Sequence, residues 1–228
     1  MSELNYSLLL AEADAFQRNI SERTKKVYDY LSGVYPASSY FFHSKAHKVA
    51  LRMAGIQDGM RVLEVATGSG EMFRRLIRAN PSGATLGLDL SPNMAARTQR
   101  RAREEFPAAD SCCQAVDATH IPFRDETFDA VMCCYLLELL TAENIAIALS
   151  EFRRVLKPGS IFTLVLIGQN TALFNQAYKV CGKIAPAFWG RQVDARVPQM
   201  IENSHLAIIG ERTVRQGFYP SRILCARK

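Results

Sequence analysis

The sequence predicts a doubly wound α/β domain built on a mostly parallel, seven-stranded sheet. From Met60 onward, short apolar segments alternate with helical patterns, which is typical of parallel strands joined by helical crossovers. Two more strand-like segments follow at 205–214 and 218–227 and complete the seven strands. The length of 228 residues suits one domain with a substantial core. We also expect N-terminal helices and a helical insertion after strand five.

The first part of the alternation begins with a strand at residues 61–66, whose sequence is RVLEVA. A glycine turn follows, and then a helix that ends near Asn80. The second strand is expected at 84–88. Ser91 can cap the next helix with its side-chain oxygen, and Pro92 fits the first helical turn, where no N–H donor is needed.

The second part repeats the pattern. The remaining core strands are expected at residues 112–116, 128–134 and 161–167. Thr141 is predicted to cap a helix that ends at Leu156. The sequence Lys-Pro-Gly at 157–159 then predicts a turn into strand five.

Composition and charge exclude several classes of protein. The chain is 48% hydrophobic and 22% charged, with a formal net charge of +6. It has no apolar run of membrane-spanning length and no secretory signal pattern, so a cytoplasmic location is expected. Two arginine clusters fall on predicted helices and are interpreted as solvated faces, so no nucleic acid is expected as a partner. Contact with an anionic lipid surface, and thus peripheral membrane contact, stays open.

The cysteines do not have the spacing of a metal site. None of the six forms a C-x-x-C pair. We therefore expect no metal and interpret them as free, buried thiols. They are Cys112, Cys113, Cys133, Cys134, Cys181 and Cys225.

Three consecutive strand ends carry residues suited to a nucleoside cofactor. The turn at 66–70 contains glycines that let the backbone approach a ligand, and the following helix offers N–H donors. Asp89, at the end of strand two, can accept hydrogen bonds from two ribose hydroxyls. Asp117, after strand three, can accept one from the amino group of adenine. The order of these sites predicts contacts to the methionine part, the ribose and the base.

The same features are compatible with a nicotinamide-dependent oxidoreductase, but one position disfavours it. In the dinucleotide fingerprint a third glycine lets the helix pack closely against the strand. Phe73 occupies that position here, and its large side chain is expected to obstruct that close packing.

At these residues the sequence resembles the class I S-adenosylmethionine-dependent methyltransferases. Residues 64–70, Asp89 and Asp117 correspond to the family's acidic and glycine motifs, and 155–159 (VLKPG) to the turn before its fifth strand. Within this class the chain is most similar to the ubiquinone/menaquinone C-methyltransferases, because Ala66 stands where most of the class has glycine. The Tyr-Asp pair at 28–29 and Ile-Pro-Phe at 121–123 also fit.

The resemblance implies S-adenosylmethionine as cofactor and a set of residues around it. The implied cofactor contacts are Tyr28, Glu64, Ala66, Thr67, Gly68, Ser69, Gly70, Asp89, Leu90, Met94, Asp117, Ala118 and Cys134. It divides the chain into a helical cap (1–55), a cofactor-binding core (56–168), an acceptor lid (169–204) and a final strand pair (205–228). Apolar and aromatic residues in the lid favour a small, hydrophobic acceptor such as a quinol.

Catalysis and acceptor remain open at this level. No residue is assigned as the catalytic base, and the candidates are His43, His47, His120 and Glu138. Tyr135, like Tyr28, is a candidate to line the pocket. The alternatives to a quinol are a phospholipid or another small metabolite. An alternative of a different class is a nucleoside-binding protein without catalysis. No oligomeric state is favoured.

Overall fold

The computed structural model describes residues 35–168, 193, 195–216 and 219–228. The helices are α1 (Tyr35–Ala54), α2 (Glu71–Ala79), α3 (Pro92–Glu105), α4 (Ala142–Val155) and α5 (Val197–Asn203). The strands are β1 (Arg61–Val65), β2 (Ala84–Asp89), β3 (Asp110–Ala115), β4 (Phe128–Cys134), β5 (Leu156–Ile167), β6 (Ala207–Gln216) and β7 (Tyr219–Arg227). Most of the predicted insertion after strand five, including Cys181, lies outside the described residues, as does Tyr28.

The strands form one sheet in the order β3-β2-β1-β4-β5-β7-β6. Strands β1 to β5 are parallel, and β7 pairs antiparallel with both β5 and β6. The predicted doubly wound, mostly parallel, seven-stranded sheet is therefore confirmed. Since the chain winds outward in opposite directions from β1 and β4, the ends of these two strands form the topological switch point, where ligands bind in such sheets.

The two faces of the sheet have separate cores. In β4, Ala130 and Met132 face α1 and α2, whereas Val131 and Cys133 face α4. This alternation follows from the two-residue period of a strand. The apolar side chains on both faces explain why the sequence of β4 is almost continuously hydrophobic, as expected for a parallel strand that is buried on both sides.

Both predicted helix caps are present. The Ser91 hydroxyl accepts a hydrogen bond from the backbone N–H of Met94 at 3.2 Å, and Thr141 accepts one from Asn144 at 3.2 Å. The helix after Thr141 ends at Val155, one residue before the predicted end. Caps of this kind depend on residues three positions apart, so the local sequence was sufficient to predict them.

The prediction of a turn at 157–159 is wrong, because the structure has a strand there. These residues lie within β5, where Leu156 pairs with Phe128 but Ile161 pairs with Ala130, so the extra residues form an irregularity in the strand. Gly159 has a φ of +78°. Its N–H donates to the carbonyl of Lys228 at 2.9 Å. Pairing with the end of β7 therefore holds this segment in the sheet.

The arginines of α2 join two helices instead of forming only a solvated face. Arg74 and Arg78 both pair with Glu105 at the end of α3. The Arg78 guanidinium also lies 5.4 Å from the centre of the Phe106 ring, within the range of a cation–π contact. These contacts hold α2 against α3 beside the glycine turn.

The cysteines are free thiols in the described part of the chain, but only some are buried. Cys113, Cys133 and Cys225 are buried, while Cys112 and Cys134 are partly exposed. Within the described ranges, no helix has the length and hydrophobicity to cross a bilayer. The same ranges contain no cluster of side chains suited to hold a metal ion.

Phe73 does not obstruct the packing of α2, because β2 has a glycine opposite it. Phe73 is fully buried. A Cβ atom placed on Gly87 would lie 2.9 Å from Phe73 Cε2 and 2.7 Å from Thr67 Cγ2. The glycine that gives room for close contact is thus on the strand, whereas in the dinucleotide fingerprint it is on the helix.

Gly87→Ala is expected to destabilise the fold by about 1–3 kcal/mol, because the new methyl group overpacks a filled core. Gly210→Ala is a matched control on another strand, since its Cβ would meet only Met53 Cε at 3.6 Å. Urea denaturation of both variants measures the difference. Equal midpoints for the two variants would contradict the proposed packing of Phe73 on Gly87.

Candidate functional site

The candidate site lies at the carboxyl ends of β1, β2, β3 and β4. The turn after β1 is fastened to β2, because the N–H groups of Ala66 and Thr67 both donate to the carbonyl of Leu88, at 2.7 and 3.1 Å. The end of β3 is fastened in the same way, since Val116 N–H donates to the carbonyl of Asp89 at 2.8 Å. The three strand ends predicted to hold a cofactor are therefore joined by backbone hydrogen bonds.

The turn depends on left-handed backbone conformations. Ala66, Gly68 and Gly70 have φ values of +64°, +50° and +75°. Gly70 is also sterically confined, because a Cβ there would lie 2.8 Å from Thr98 Oγ1. Ala66 adopts a conformation that costs an L-residue roughly 1–2 kcal/mol. It stands where most of the methyltransferase class has glycine, so this chain keeps a strained residue at the centre of its site.

Asp89 joins the turn to α3. Its carboxylate accepts the N–H of Gly68 at 2.7 Å and the N–H of Ser91 at 2.9 Å. Thr98 of α3 donates in turn to the carbonyl of Gly68 at 3.3 Å. A carboxylate has about four acceptor positions, so Asp89 can serve these donors and ribose hydroxyls together.

Glu64 is a buried acid on β1. Only 1% of its surface is exposed, and its Oε2 atom has no hydrogen-bond partner in the described part of the chain. Burial, together with the nearby charge of Asp89, raises the pKa of Glu64 well above its ordinary value. A cation bound beside this group would stabilise its charged form, and S-adenosylmethionine has both an ammonium and a sulfonium group. The residues present therefore fit the expected cofactor.

The other predicted cofactor residues differ in their surroundings. Asp117 is exposed, and its Oδ1 accepts from the N–H and the hydroxyl of Thr119 at 2.9 and 2.8 Å. Ala118 and Met94 are buried, Leu90 is exposed, and Cys134 is partly exposed at the end of β4. Asp117 thus lies at the exposed rim of the site and orders its own loop, and its contact to the cofactor stays a prediction.

The thiols at the end of β4 are not activated nucleophiles. Burial raises the pKa values of Cys133 and Cys134 well above the ordinary value for cysteine, and the charges of Glu64 and Glu138 raise them further. Both side chains are therefore neutral near pH 7 and act as small packing groups.

The structure separates the four candidate bases. Glu138 is 2% exposed, and its Oε1 accepts the N–H of Ile167 at 2.6 Å, so its side chain points into the protein and not to solvent. His47 is buried on α1, with its ring centre 6.1 Å from that of Tyr135. His120 is exposed, with Nδ1 2.9 Å from the Thr119 hydroxyl. The side chain of His43 lies outside the described residues.

Ser221 is a functional candidate that the sequence did not indicate. The Tyr135 hydroxyl lies 2.7 Å from the Oγ atom of Ser221, which is buried at the start of β7. Because β7 is antiparallel to β5, Ser221 pairs with Ile167 at the carboxyl end of β5. Only the placement of β7 in the sheet brings Ser221 to the site.

Comparison with known proteins gives the family of this fold and site. A family described as a methyltransferase domain matches residues 62–159. A demethylmenaquinone methyltransferase from Staphylococcus carnosus is 30% identical over 178 residues, which cover 75% of this chain and 71% of that protein. This chain belongs to the class I S-adenosylmethionine-dependent methyltransferases. The cofactor of that family, predicted from the sequence, is thereby confirmed, while the roles of individual residues stay predictions.

Other relatives agree with this family. A 2-phytyl-1,4-naphthoquinone methyltransferase from Nostoc sp. is 27% identical over 146 residues, and the match covers 62% of this chain and 63% of that relative. The crystal structure of an S-adenosylmethionine-dependent methyltransferase from Aquifex aeolicus is 18% identical, with a TM-score of 0.63 over 90% of this chain and 97% of that one.

A structural neighbour with a different activity limits what the fold implies. The [4+2]-cyclase SpnF is 19% identical, with a TM-score of 0.67 over 81% of this chain and 80% of that one. The shared fold therefore does not fix the reaction, and function has to be argued from the site.

Ala66→Gly is expected to stabilise the protein slightly or leave its stability unchanged. Relief of the left-handed strain, about 1–2 kcal/mol, offsets an entropic cost of about 0.5–1 kcal/mol. Ala96→Gly is the control, because Ala96 is exposed within α3, where glycine costs about 1 kcal/mol. Thermal or urea unfolding measures both. A loss at Ala66 as large as that at Ala96 would argue against strain in the turn.

The affinity for S-adenosylmethionine is expected to rise with pH in the range where Glu64 loses its proton. The raised pKa means that the empty site favours the protonated acid, whereas a cationic ligand favours the carboxylate. Binding should therefore release a proton at pH values below the raised pKa. Calorimetry in buffers of different ionisation enthalpy measures that release.

Glu64→Gln is expected to remove this proton release and flatten the pH dependence. Glu104→Gln is the control, because Glu104 is exposed on α3. This substitution should leave the proton release and the pH dependence of binding unchanged. An unaltered proton release in Glu64→Gln would remove Glu64 from the cation site.

Proposed function

We propose that this protein transfers a methyl group from S-adenosylmethionine to a small, apolar acceptor of the quinol class. The observation that carries the proposal is the buried carboxylate of Glu64 beside the turn that Asp89 holds at the switch point of the sheet. Together they fit a cationic nucleoside. The names of the Staphylococcus and Nostoc relatives support a quinone-derived acceptor.

In this proposal, the residues at the ends of β1, β2 and β3, which we call the cofactor half, bind and orient S-adenosylmethionine. S-adenosylmethionine, when bound, supplies an electrophilic methyl group. Asp89 accepts from the ribose hydroxyls, the turn at 66–70 lets the ligand approach the backbone, and Glu64 balances the positive charge. Much of the rate of such a reaction arises from positioning two reactants in line. Asp117 is proposed to contact the adenine at the rim through Oδ2, since its bonds to Thr119 are made by Oδ1.

Glu138 is the proposed proton acceptor. It lies at the carboxyl ends of β4 and β5, on the half of the sheet that the cofactor residues leave for the acceptor. Its charge acts on Cys133 and Cys134 at the end of β4, as that of Glu64 does. A carboxylate between the two strand ends can take the proton that a ring carbon or hydroxyl of the acceptor loses.

The segment after β5 is proposed to cover the acceptor, together with the N-terminal helices. The aromatic residues predicted to line this cover lie outside the described side chains. The proposal for them therefore rests on their place in the chain, directly after the carboxyl end of β5.

The decisive experiment is a methyl-transfer assay with a reduced, short-chain 2-alkyl-1,4-naphthoquinone. Asp89→Ala is expected to weaken cofactor binding by tenfold or more, since hydrogen bonds to charged groups contribute about 1.5–3 kcal/mol. Glu138→Gln keeps the acceptor for Ile167 N–H, so it should lower turnover by about 10²–10⁴ with an unchanged cofactor affinity.

Other results of this experiment would favour a different function or a different role for Glu138. Cofactor binding without transfer to the naphthoquinol, to a phospholipid or to other metabolites would favour a nucleoside-binding role or a reaction without methyl transfer. Equal loss of cofactor affinity in both variants would remove Glu138 from the role of proton acceptor.

A further inference from the structure

A group of three polar side chains lies on the acceptor half of the site and is not used by the proposed chemistry. We call it the hydroxyl cluster and define it as His47, Tyr135 and Ser221. The Tyr135 hydroxyl and Ser221 Oγ are 2.7 Å apart. The ring centres of His47 and Tyr135 are 6.1 Å apart, with planes tilted by 43°. His47 and Ser221 are buried, and Tyr135 is partly buried.

The hydroxyl cluster is close to both halves of the site. Tyr135 directly follows Cys134. The pKa of the Cys134 thiol is raised by burial and by the nearby acidic groups of Glu64 and Glu138. Ser221 pairs with Ile167, whose N–H is held by Glu138. The two hydroxyls therefore lie at the carboxyl edge of β4 and β5, where Glu138 also binds the end of β5.

The backbone at Tyr135 is strained. Its φ is +55°, an uncommon conformation for a bulky residue. Its N–H donates to the carbonyl of Val165 at 2.8 Å, which fixes the peptide against β5. Strained residues cluster at functional sites, where the surrounding structure enforces them. Here the strain directs a hydroxyl-bearing side chain towards β7 at the edge of the site.

We propose that the Tyr135–Ser221 pair is a recognition site for a hydroxyl group of the acceptor, with His47 as a positioning residue for the Tyr135 ring. Each hydroxyl both donates and accepts, so the pair can extend its hydrogen-bond chain to a third hydroxyl. This inference rests on the proposed function and adds the residues that select the acceptor: a quinol is held by its hydroxyl group, and an apolar ring without a hydroxyl is rejected.

The preference for a hydroxyl has a physical basis. A site built to hydrogen-bond a hydroxyl rejects an analogue without it, because buried polar groups lose their partner. Losing the hydrogen bond and leaving a buried hydroxyl without its partner both disfavour the analogue. The preference of the wild type for a phenol over the same ring without the hydroxyl should therefore be about tenfold or more.

The test measures binding, so that it does not depend on methyl transfer. The wild-type protein, saturated with S-adenosylhomocysteine, is titrated with 2-butyl-1-naphthol and with 2-butylnaphthalene, which has no hydroxyl, and calorimetry gives both affinities. Tyr135→Phe and Ser221→Ala are expected to reduce the preference for the naphthol to about twofold or less, while the affinity for S-adenosylhomocysteine stays unchanged.

Thr163→Val is the matched control. Thr163 lies on β5, and its hydroxyl is 3.3 Å from the Sγ atom of Cys225 on β7. The substitution therefore removes a buried hydroxyl contact between β5 and β7, away from their edge at the site. The control should keep the wild-type preference.

The outcomes separate this inference from the proposed function. A wild type that binds both naphthalenes equally, or a Tyr135→Phe variant that keeps the preference, overturns the recognition site. A preference that is lost in both variants, in a protein that methylates no quinol, supports the recognition site and refutes the proposed function.

Discussion

The hydrogen bonds of the Asp89 carboxylate are the constraint on which the rest of the site depends. They join the turn after β1, through Gly68, to the start of α3, through Ser91. A buried carboxylate requires such donors, because an unpaired charge would be expensive to remove from water. The left-handed residues of the turn follow from this arrangement, since they aim the Gly68 N–H at Asp89. The same bonds fix the oxygens that a ribose would meet.

Acidic side chains and thiols are buried close together at this edge of the sheet. Burial, together with nearby acidic groups, raises the pKa values of Glu64, Cys133 and Cys134. Without a ligand this burial is a cost, because it favours the uncharged form of Glu64. A cationic ligand offsets that cost, so stability is exchanged for affinity, as is common at functional sites. The strain at Ala66 and Tyr135, on either side of this edge, belongs to the same exchange.

The sheet order divides the site into two halves. In the proposed function, β1, β2 and β3 present the acidic and glycine residues of the cofactor half, whereas β4, β5 and β7 present the acceptor half. An antiparallel strand begins where its parallel neighbours end, so β7 places Ser221 at the same edge as Ile167. Glu138 and Tyr135, from the connection after β4, are proposed to lie on the acceptor half.

The sequence by itself determined the features that depend on near neighbours: the alternation of strands and helices, the caps at Ser91 and Thr141, and the glycine turn followed by Asp89. Tertiary structure decided the features that depend on which strands are adjacent. The segment at 157–159 became part of β5 because the end of β7 pairs with it. Phe73 fits because β2 offers Gly87, and Ser221 meets Tyr135 only because β7 inserts between β5 and β6. These contacts join distant residues, and no local pattern encodes them.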